Sequence, residues 1–280
     1  MLLRPEPGPS TLKITRWGGR RLAALRGAGA SATVGESWEF STLAGHESRA
    51  AGRPLSAVLG APLPFLAKLL DTASPLSVQV HPGDTTSAPG KEEAWVVLAA
   101  DPGAHVWAGV RPDVTRKQFS DALTEGARCL DLLICHHVTP GSVLLVPART
   151  VHAIGGGILL AEIQQPTDCT LRLYDHGSDR PIQPAEALAV ADLTSLPVVW
   201  RPQEPPRTLR GRHVGLEILG PGRHARDASL PTLLVPACGP VRVGAGDDDE
   251  QLEPCQLRLA IGPLRIDVPA DALCILGTVT

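Results

Sequence analysis

Aromatic residues are scarce in this chain: Phe, Trp and Tyr make up 3% of 280 residues, while hydrophobic residues of all kinds make up 43%. The interior must therefore be built from Val, Leu, Ile and Ala. No apolar run approaches the roughly 20 residues that a membrane-spanning helix needs. The opening stretch, MLLRPEPGPSTLKITRWGG, has Pro and charge where a signal peptide needs an apolar segment. No C-x-x-C pair occurs either. Cys129, Cys135, Cys169, Cys238, Cys255 and Cys274 are scattered, which argues against a disulfide framework or a thiolate zinc site. They read as small buried hydrophobes in a reducing compartment, and a cytoplasmic location is the expectation. A net charge of −3 offers no electrostatic reason for a nucleic acid or an anionic membrane as partner.

Turn formers, by contrast, are plentiful. The chain holds 28 Gly and 27 Pro, which favours many short strands joined by tight turns over long helices. TLKITRWGG, ATVGESWEFSTL, LSVQVHP (76–82), AWVVLAA (94–100), AHVWAGV (104–110), SVLLVPA (142–148), GILLAEIQQ (157–165) and CTLRLYDHG (169–177) all read as strands. Asp101-Pro102-Gly103 reads as a turn. Helices are expected at PFLAKLLD (64–71), in RPDVTRKQFSDALTEGARCLDLLI with Thr115 as cap and Gly126 as stop, and at PAEALAVADL (184–193). PQEPPR (202–207) reads as a linker and GDDDE (246–250) as a solvated loop. Beyond the linker the strand signals resume with VGLEIL, TLLVP, VRVGAG, LRLAI, LRIDV and ALCILG. GSVLLVPARTVHAIGGG and PLRIDVPADALCILGTV share a strand, a Val-Pro-Ala turn and a second strand, with Leu273 or Cys274 roughly where the first has His152. A tandem β-barrel with a metal site only in its first unit has this appearance.

Four residues carry the chemistry. In Val78-Gln79-Val80-His81, strand alternation puts Gln79 and His81 on one face and the two valines on the other. Taken alone, such a pair also fits an exposed sheet edge. Glu93 stands at the entrance to an apolar strand, on the side of Trp95 and Val97. A buried carboxylate there needs a cation or several donors, although a loop acid in a charged Lys-Glu-Glu cluster is the simpler account of Glu93 by itself. His152 closes Gly141-Ser142-Val143-Leu144-Leu145-Val146-Pro147-Ala148-Arg149-Thr150-Val151-His152. That segment resembles the second cupin motif, G-x5-P-x-G-x2-H, with Arg149 in place of the middle glycine. Together Gln79, His81, Glu93 and His152 form a mixed nitrogen and oxygen set that suits Zn²⁺, and also Mn²⁺, Fe²⁺, Co²⁺ or Ni²⁺.

With those residues identified, the chain resembles the type I phosphomannose isomerases in their short bacterial form. The likeness rests on Trp17-Gly18-Gly19, Gly35-Glu36-Ser37-Trp38-Glu39, PLSVQVHP at 75–82, GKEEAW at 90–95, VTPGSVLLVPARTVHAIGGG at 138–157 and LAEIQQPTDCTLRLYDHG at 160–177. These cover about residues 10–180. The resemblance implies a mainly β fold: a cupin (jelly-roll) barrel with a few short helices over 1–205, and a second, smaller, cupin-like β unit without a metal site over 206–280. It implies zinc on Gln79, His81, Glu93 and His152, a hexose phosphate as substrate, and Lys91 and Arg172 in the active site, Arg172 as the catalytic arginine. Glu162 matches a further active-site acid. The family's YDWGR stands here as Tyr174-Asp175-His176-Gly177-Ser178, without the Trp or the following Arg.

The expected reaction interconverts mannose 6-phosphate and fructose 6-phosphate by moving a proton between C2 and C1 through an enediol. It needs a base, an oxygen-to-oxygen proton shuttle and a stabiliser for developing charge. Glu162 is the expected base; an orienting role towards a metal ligand is its other reading. By itself Arg172 also fits a surface position in LRLYD, and Lys91 a loop. A different metal cupin enzyme, such as an oxygenase or an isomerase of free sugars, and a non-catalytic sugar-binding cupin are the two rival readings. The remaining histidines, His46, His105, His136, His137, His176, His213 and His224, form no ligand spacing.

Overall fold

The computed structural model describes residues 1–29, 32–246 and 248–280. Residues 12–200 form a barrel of two facing antiparallel sheets. One sheet runs in the order Val198–Trp200, Val143–Val146, Glu93–Ala100, Ile158–Gln164, Leu66–Thr72, Leu12–Gly19, Val34–Phe40, with Val34–Phe40 also paired directly to Leu66–Thr72. The other runs Leu133–His137, His105–Val110, His152–Ile154, Val78–Val80, Leu171–Tyr174. Residues 208–280 form a third sheet, ordered Thr208–Arg210, Val214–Leu219, Leu273–Val279, Gly222–Cys238, Arg258–Val268, Val241–Ala245, Asp248–Leu252, with the N-terminal Leu2–Leu3 paired to Arg258–Val268. The fold is mainly β, a cupin barrel with few helices, as the resemblance implies. Among the described residues no helix is long and apolar enough to cross a membrane.

Alternation sorts the barrel's side chains. Trp17, Leu70, Trp95, Val97, Leu144, Val146 and Leu160 pack together inside it. Val78 and Val80 face the other way, onto Phe119 and Ala122 of the helix Arg116–Thr124 and Ala187 of the helix Pro184–Val190. Thr115 caps the first of these with a capping box: its hydroxyl accepts from the Gln118 amide while the Gln118 side chain accepts from the Thr115 amide. Gly126, at φ 71°, ends it. Ala94, Val96 and Ile163, on the outer face of the long sheet, share one core with Leu216, Ile218, Leu233 and Ile275 of the C-terminal sheet.

Three expectations are corrected. Of the six cysteines only Cys129 and Cys274 are buried, while Cys135 and Cys169 are exposed. Residues 64–71 are not a helix: Leu66–Thr72 is a strand between Ile158–Gln164 and Val34–Phe40. All seven of its residues are buried, so its apolar positions lack the alternation of a half-exposed strand and read equally as a short buried helix. Nor are residues 246–250 simply a loop. Gly246 turns the chain at φ 65°, and Asp248–Leu252 pairs with Val241–Ala245. Cross-strand arginines balance the acids: Arg265 meets Asp249 at 3.0 Å and Arg258 meets Glu250 at 2.8 Å. Asp247 lies outside the described residues.

Candidate functional site

The barrel brings together side chains that the sequence scatters. His152 pairs across the ladder with Gln79, and Gln79 with Arg172 on its other side. Opposite them, on the long sheet, a cross-strand row runs Trp38, Lys68, Glu162, Trp95. Glu93 sits one pleat further along, paired with Gln164 and Val146. His81, Glu93 and His152 offer one ligand atom each, all within 4.8 Å of one another. All three are about 1% exposed, so no water shell solvates them.

The two imidazoles are presented in a defined tautomer. His81 Nδ1 lies 2.8 Å from the Cys169 carbonyl and His152 Nδ1 lies 2.9 Å from the Thr150 carbonyl. A carbonyl only accepts, so each Nδ1 carries the proton and each Nε2 turns a lone pair inward. His81 Nε2 is 3.3 Å from Glu93 Oε2, and His152 Nε2 is 3.2 Å from Glu93 Oε1. A tetrahedral ion with bonds of about 2.0–2.1 Å separates its ligands by about 3.3–3.4 Å. Neither Glu93 oxygen receives a hydrogen bond; Lys91 Nζ is 2.8 Å from Oε2 but outside hydrogen-bond angles. A buried carboxylate that accepts no hydrogen bond, set between two inward lone pairs, fits the donor set of a divalent transition metal. The residues fit a metal ion.

Gln79 stands beside this set rather than inside it. Its amide nitrogen faces His152 Nε2 at 3.2 Å, and its oxygen accepts from the Ser77 hydroxyl at 3.1 Å. A half-turn about the last side-chain bond exchanges the two and turns the oxygen inward.

Electrostatics divide the site. Burial, reinforced by Lys91, pushes the His81 imidazole down to about 3, and burial lowers His152 as well. Both are neutral at physiological pH, as a metal ligand must be. Burial raises the Glu93 carboxyl, but Lys91, His81 and His152 together bring it well below the ordinary range. Glu162 goes the other way: burial raises it and Glu93 adds to the rise, against the pull of Lys91 and Lys68.

Beside the ligand set lies a cavity of about 310 Å³, lined among others by Gln79, Lys91, Glu162 and Arg172. Lys91 is 4% exposed, on a loop whose amide donates to the Pro82 carbonyl. Its Nζ reaches His81 Nε2 at 3.1 Å and comes within 3.8 Å of Glu162 Oε1. Glu162 Oε2 accepts from Trp95 Nε1 at 3.1 Å, whereas Oε1 has no hydrogen bond. The Arg172 Nε is buried without a partner. That is unlike a surface arginine.

Several cavity residues escaped the sequence reading. Lys68, 3% exposed, lies 3.4 Å from Glu36, 3.5 Å from Glu162 and 4.7 Å above the Trp38 ring. Its signal was a lysine amid LAKLLD, masked by the reading of that stretch as a helix. Arg180 also lines the cavity and grips Asp175 with two nitrogens at 2.7 and 2.6 Å. It stands two residues beyond Ser178, the position where the YDWGR pattern has its arginine. His176, in the place of that pattern's tryptophan, donates through Nε2–H to the Leu76 carbonyl at 2.9 Å.

No family model matches the sequence. Curated relatives do. The chain is 31% identical over 216 residues to the "Probable mannose-6-phosphate isomerase GmuF" of Bacillus subtilis, covering 67% of this chain and 68% of that protein. The matched part spans about two thirds of the length of the curated Bacillus relatives. Among solved structures, the mannose 6-phosphate isomerase from Bacillus subtilis superposes with a TM-score of 0.76 at 21% identity, covering 99% of both chains. A mannose 6-phosphate isomerase bound with zinc and yttrium superposes with a TM-score of 0.70 at 16% identity, covering 100% of this chain and 99% of that one. These two likenesses show a common fold.

Proposed function

We propose that this chain, which belongs to the mannose-6-phosphate isomerase family, interconverts mannose 6-phosphate and fructose 6-phosphate with zinc bound by His81, Glu93, His152 and Gln79. The observation that carries the reading is the buried Glu93 carboxylate, which accepts no hydrogen bond and faces two neutral imidazoles, beside a cavity lined by acid and base groups. Zinc suits two nitrogens and a carboxylate better than magnesium or calcium, which prefer all-oxygen shells. Bound there, the ion supplies Lewis-acid polarisation of a sugar oxygen.

The chain's own groups account for the rest. Glu162 Oε1, free of hydrogen bonds and on a carboxyl raised by burial, takes the proton from C2 and returns it to C1. A base with its pKa raised towards neutrality both accepts and releases a proton readily. Trp95 Nε1 fixes the carboxylate through its other oxygen. Arg172, with an unpartnered buried Nε, stabilises the negative charge that develops on the enediol oxygens. Lys91 Nζ, between Glu93 and Glu162, relays the proton between O1 and O2. The cations Lys13, Lys68, Arg172 and Arg180 around the cavity favour an anionic sugar.

A coupled assay for mannose 6-phosphate conversion tests this, run on protein as prepared, after chelation and after zinc is restored. Conversion lost on chelation and recovered with zinc is expected. Binding of the sugar phosphate without conversion would establish the non-catalytic reading instead, and turnover of free mannose alone would establish a different isomerase.

A further inference from the structure

Glu92 lies next to Glu93 in the chain but points away from the metal centre. Its carboxylate is 4% exposed and accepts three backbone N–H groups from the turn of the C-terminal hairpin. Arg212 N reaches Oε2 at 3.1 Å; His213 N and Val214 N reach Oε1 at 2.8 and 2.9 Å. These contacts join positions 120 to 122 residues apart. The hairpin is shaped to receive it: a Cβ on Gly211 would overlap Glu92 Oε1 and its carboxyl carbon, and would also stand 2.9 Å from the hairpin's own Val214 carbonyl oxygen. A second tie runs alongside. The Glu92 amide donates to Gln165 Oε1 at 2.9 Å, Gln165 Nε2 donates to Asp84 Oδ1 at 3.0 Å, and Asp84 Oδ2 meets His213 Nε2 at 2.7 Å.

We propose that Glu92 is a positioning residue through which the C-terminal sheet holds Lys91 and Glu93 in place. It gives residues 208–280 a part in the reaction without a side chain in the cavity. The inference rests on the metal-site reading above. The physical case is geometric. Glu93 is the first residue of its strand, paired with Gln164 and Val146, while Lys91 and Glu92 precede the strand and lie outside its ladder. A buried carboxylate with three donors is fixed at both oxygens, so the backbone carrying it cannot rock without breaking charge-assisted hydrogen bonds. A metal ligand displaced by a fraction of an ångström loses affinity, and groups that hold ligands typically matter 10–100-fold.

Two variants test it from opposite sides: Glu92→Gln, which sets an amide NH₂ against backbone donors, and Gly211→Ala, which pushes the carboxylate from the hairpin. Zinc affinity is measured by chelator competition, stability by melting with and without zinc, and kcat and KM for mannose 6-phosphate separately. Both variants are expected to bind zinc at least about tenfold more weakly and to lose kcat with KM within about twofold of wild type, while remaining folded. Glu92→Asp, which keeps the charge, is expected to recover part of the affinity. If both variants keep wild-type zinc affinity and kcat while melting lower, Glu92 only holds the sheets together and the proposal is overturned. Should Glu92→Gln not fold, Gly211→Ala and Glu92→Asp decide by the same readings. Zinc affinity is read without turnover, so a wild-type protein that binds zinc but does not isomerise this sugar sinks the proposed reaction and leaves the positioning role to be judged on its own.

Discussion

Glu93 and Glu162 face the same interior from adjacent strands, and their carboxyls are pushed in opposite directions. Both are buried, which by itself raises both. Glu93 has Lys91 and two imidazoles against it and falls well below the ordinary range; Glu162 feels Glu93 as a like charge and stays raised. Lys91 Nζ is 2.8 Å from the first and 3.8 Å from the second. Two carboxyls separated in this way take different roles, one a permanent anion and one a proton carrier.

Replacing Glu162 by Gln keeps the shape and the Trp95 hydrogen bond while removing the proposed proton carrier. Turnover is expected to fall about 100-fold or more, with bound zinc at the wild-type level. Metal analysis on the same preparation separates the two readings of this residue. Zinc lost together with turnover would mean that Glu162 orients a ligand instead.

Removing the metal has a thermodynamic signature as well as a kinetic one. A ligand at 100 times its dissociation constant stabilises the folded state by about 2.7 kcal/mol, which for a chain of this size corresponds to roughly 5 °C or more in melting temperature. Wild type is expected to lose that increment on chelation. His152→Ala, which deletes one inward lone pair, is expected to melt at the same temperature with and without zinc.

Much of this grouping of side chains was legible in the sequence because strand alternation and one motif spacing report on it. Alternation alone put Gln79 and His81 on the face opposite Val78 and Val80, and set Glu93 on the side of Trp95. The G-x5-P spacing returned His152 to the barrel even though Arg149 replaces the motif's glycine. Arg149 adopts the left-handed φ of 71° that glycine would supply, at a cost of about 1–2 kcal/mol. It is tethered there by its amide to the His81 carbonyl at 2.7 Å and by Nε to the Val190 carbonyl at 2.8 Å. Lys68 stayed hidden because a strand buried on both faces has no period to read. Glu92 stayed hidden because its partners are backbone amides far along the chain, and no side-chain pattern marks those.

Lys68 yields the sharpest stability prediction. It is the cation shared by Glu36 and Glu162, and its own ammonium is held raised by Glu36 and Glu162 despite the opposing effect of burial. Lys68→Met leaves the buried Glu162 and the partly exposed Glu36 short of a partner, and removing one member of a buried ion pair costs about 3 kcal/mol or more. Urea unfolding of the two proteins measures it. A loss below about 1 kcal/mol would mean that Lys91 alone can neutralise the cavity.

Asp84 makes the link to the C-terminal turn dependent on pH. Hydrogen bonds from the Gly90 amide at 2.8 Å and the Gln165 amide at 3.0 Å, with His213 against the other oxygen, hold its carboxyl down to about 2. An unfolded aspartate titrates near about 3.9. The folded value is the lower one, so the ionised form is the form that folding favours. Its contribution is fully present above pH ~4, and it drains away as pH falls from there through ~2. Asp84→Asn has no such charge to lose. The melting temperatures of wild type and Asp84→Asn, measured from pH 7 downward, are expected to keep a constant gap to about pH 5 and to converge below about pH 4. A gap that stays constant to pH 3 would mean the aspartate is not held ionised by the Gly90 and Gln165 bonds.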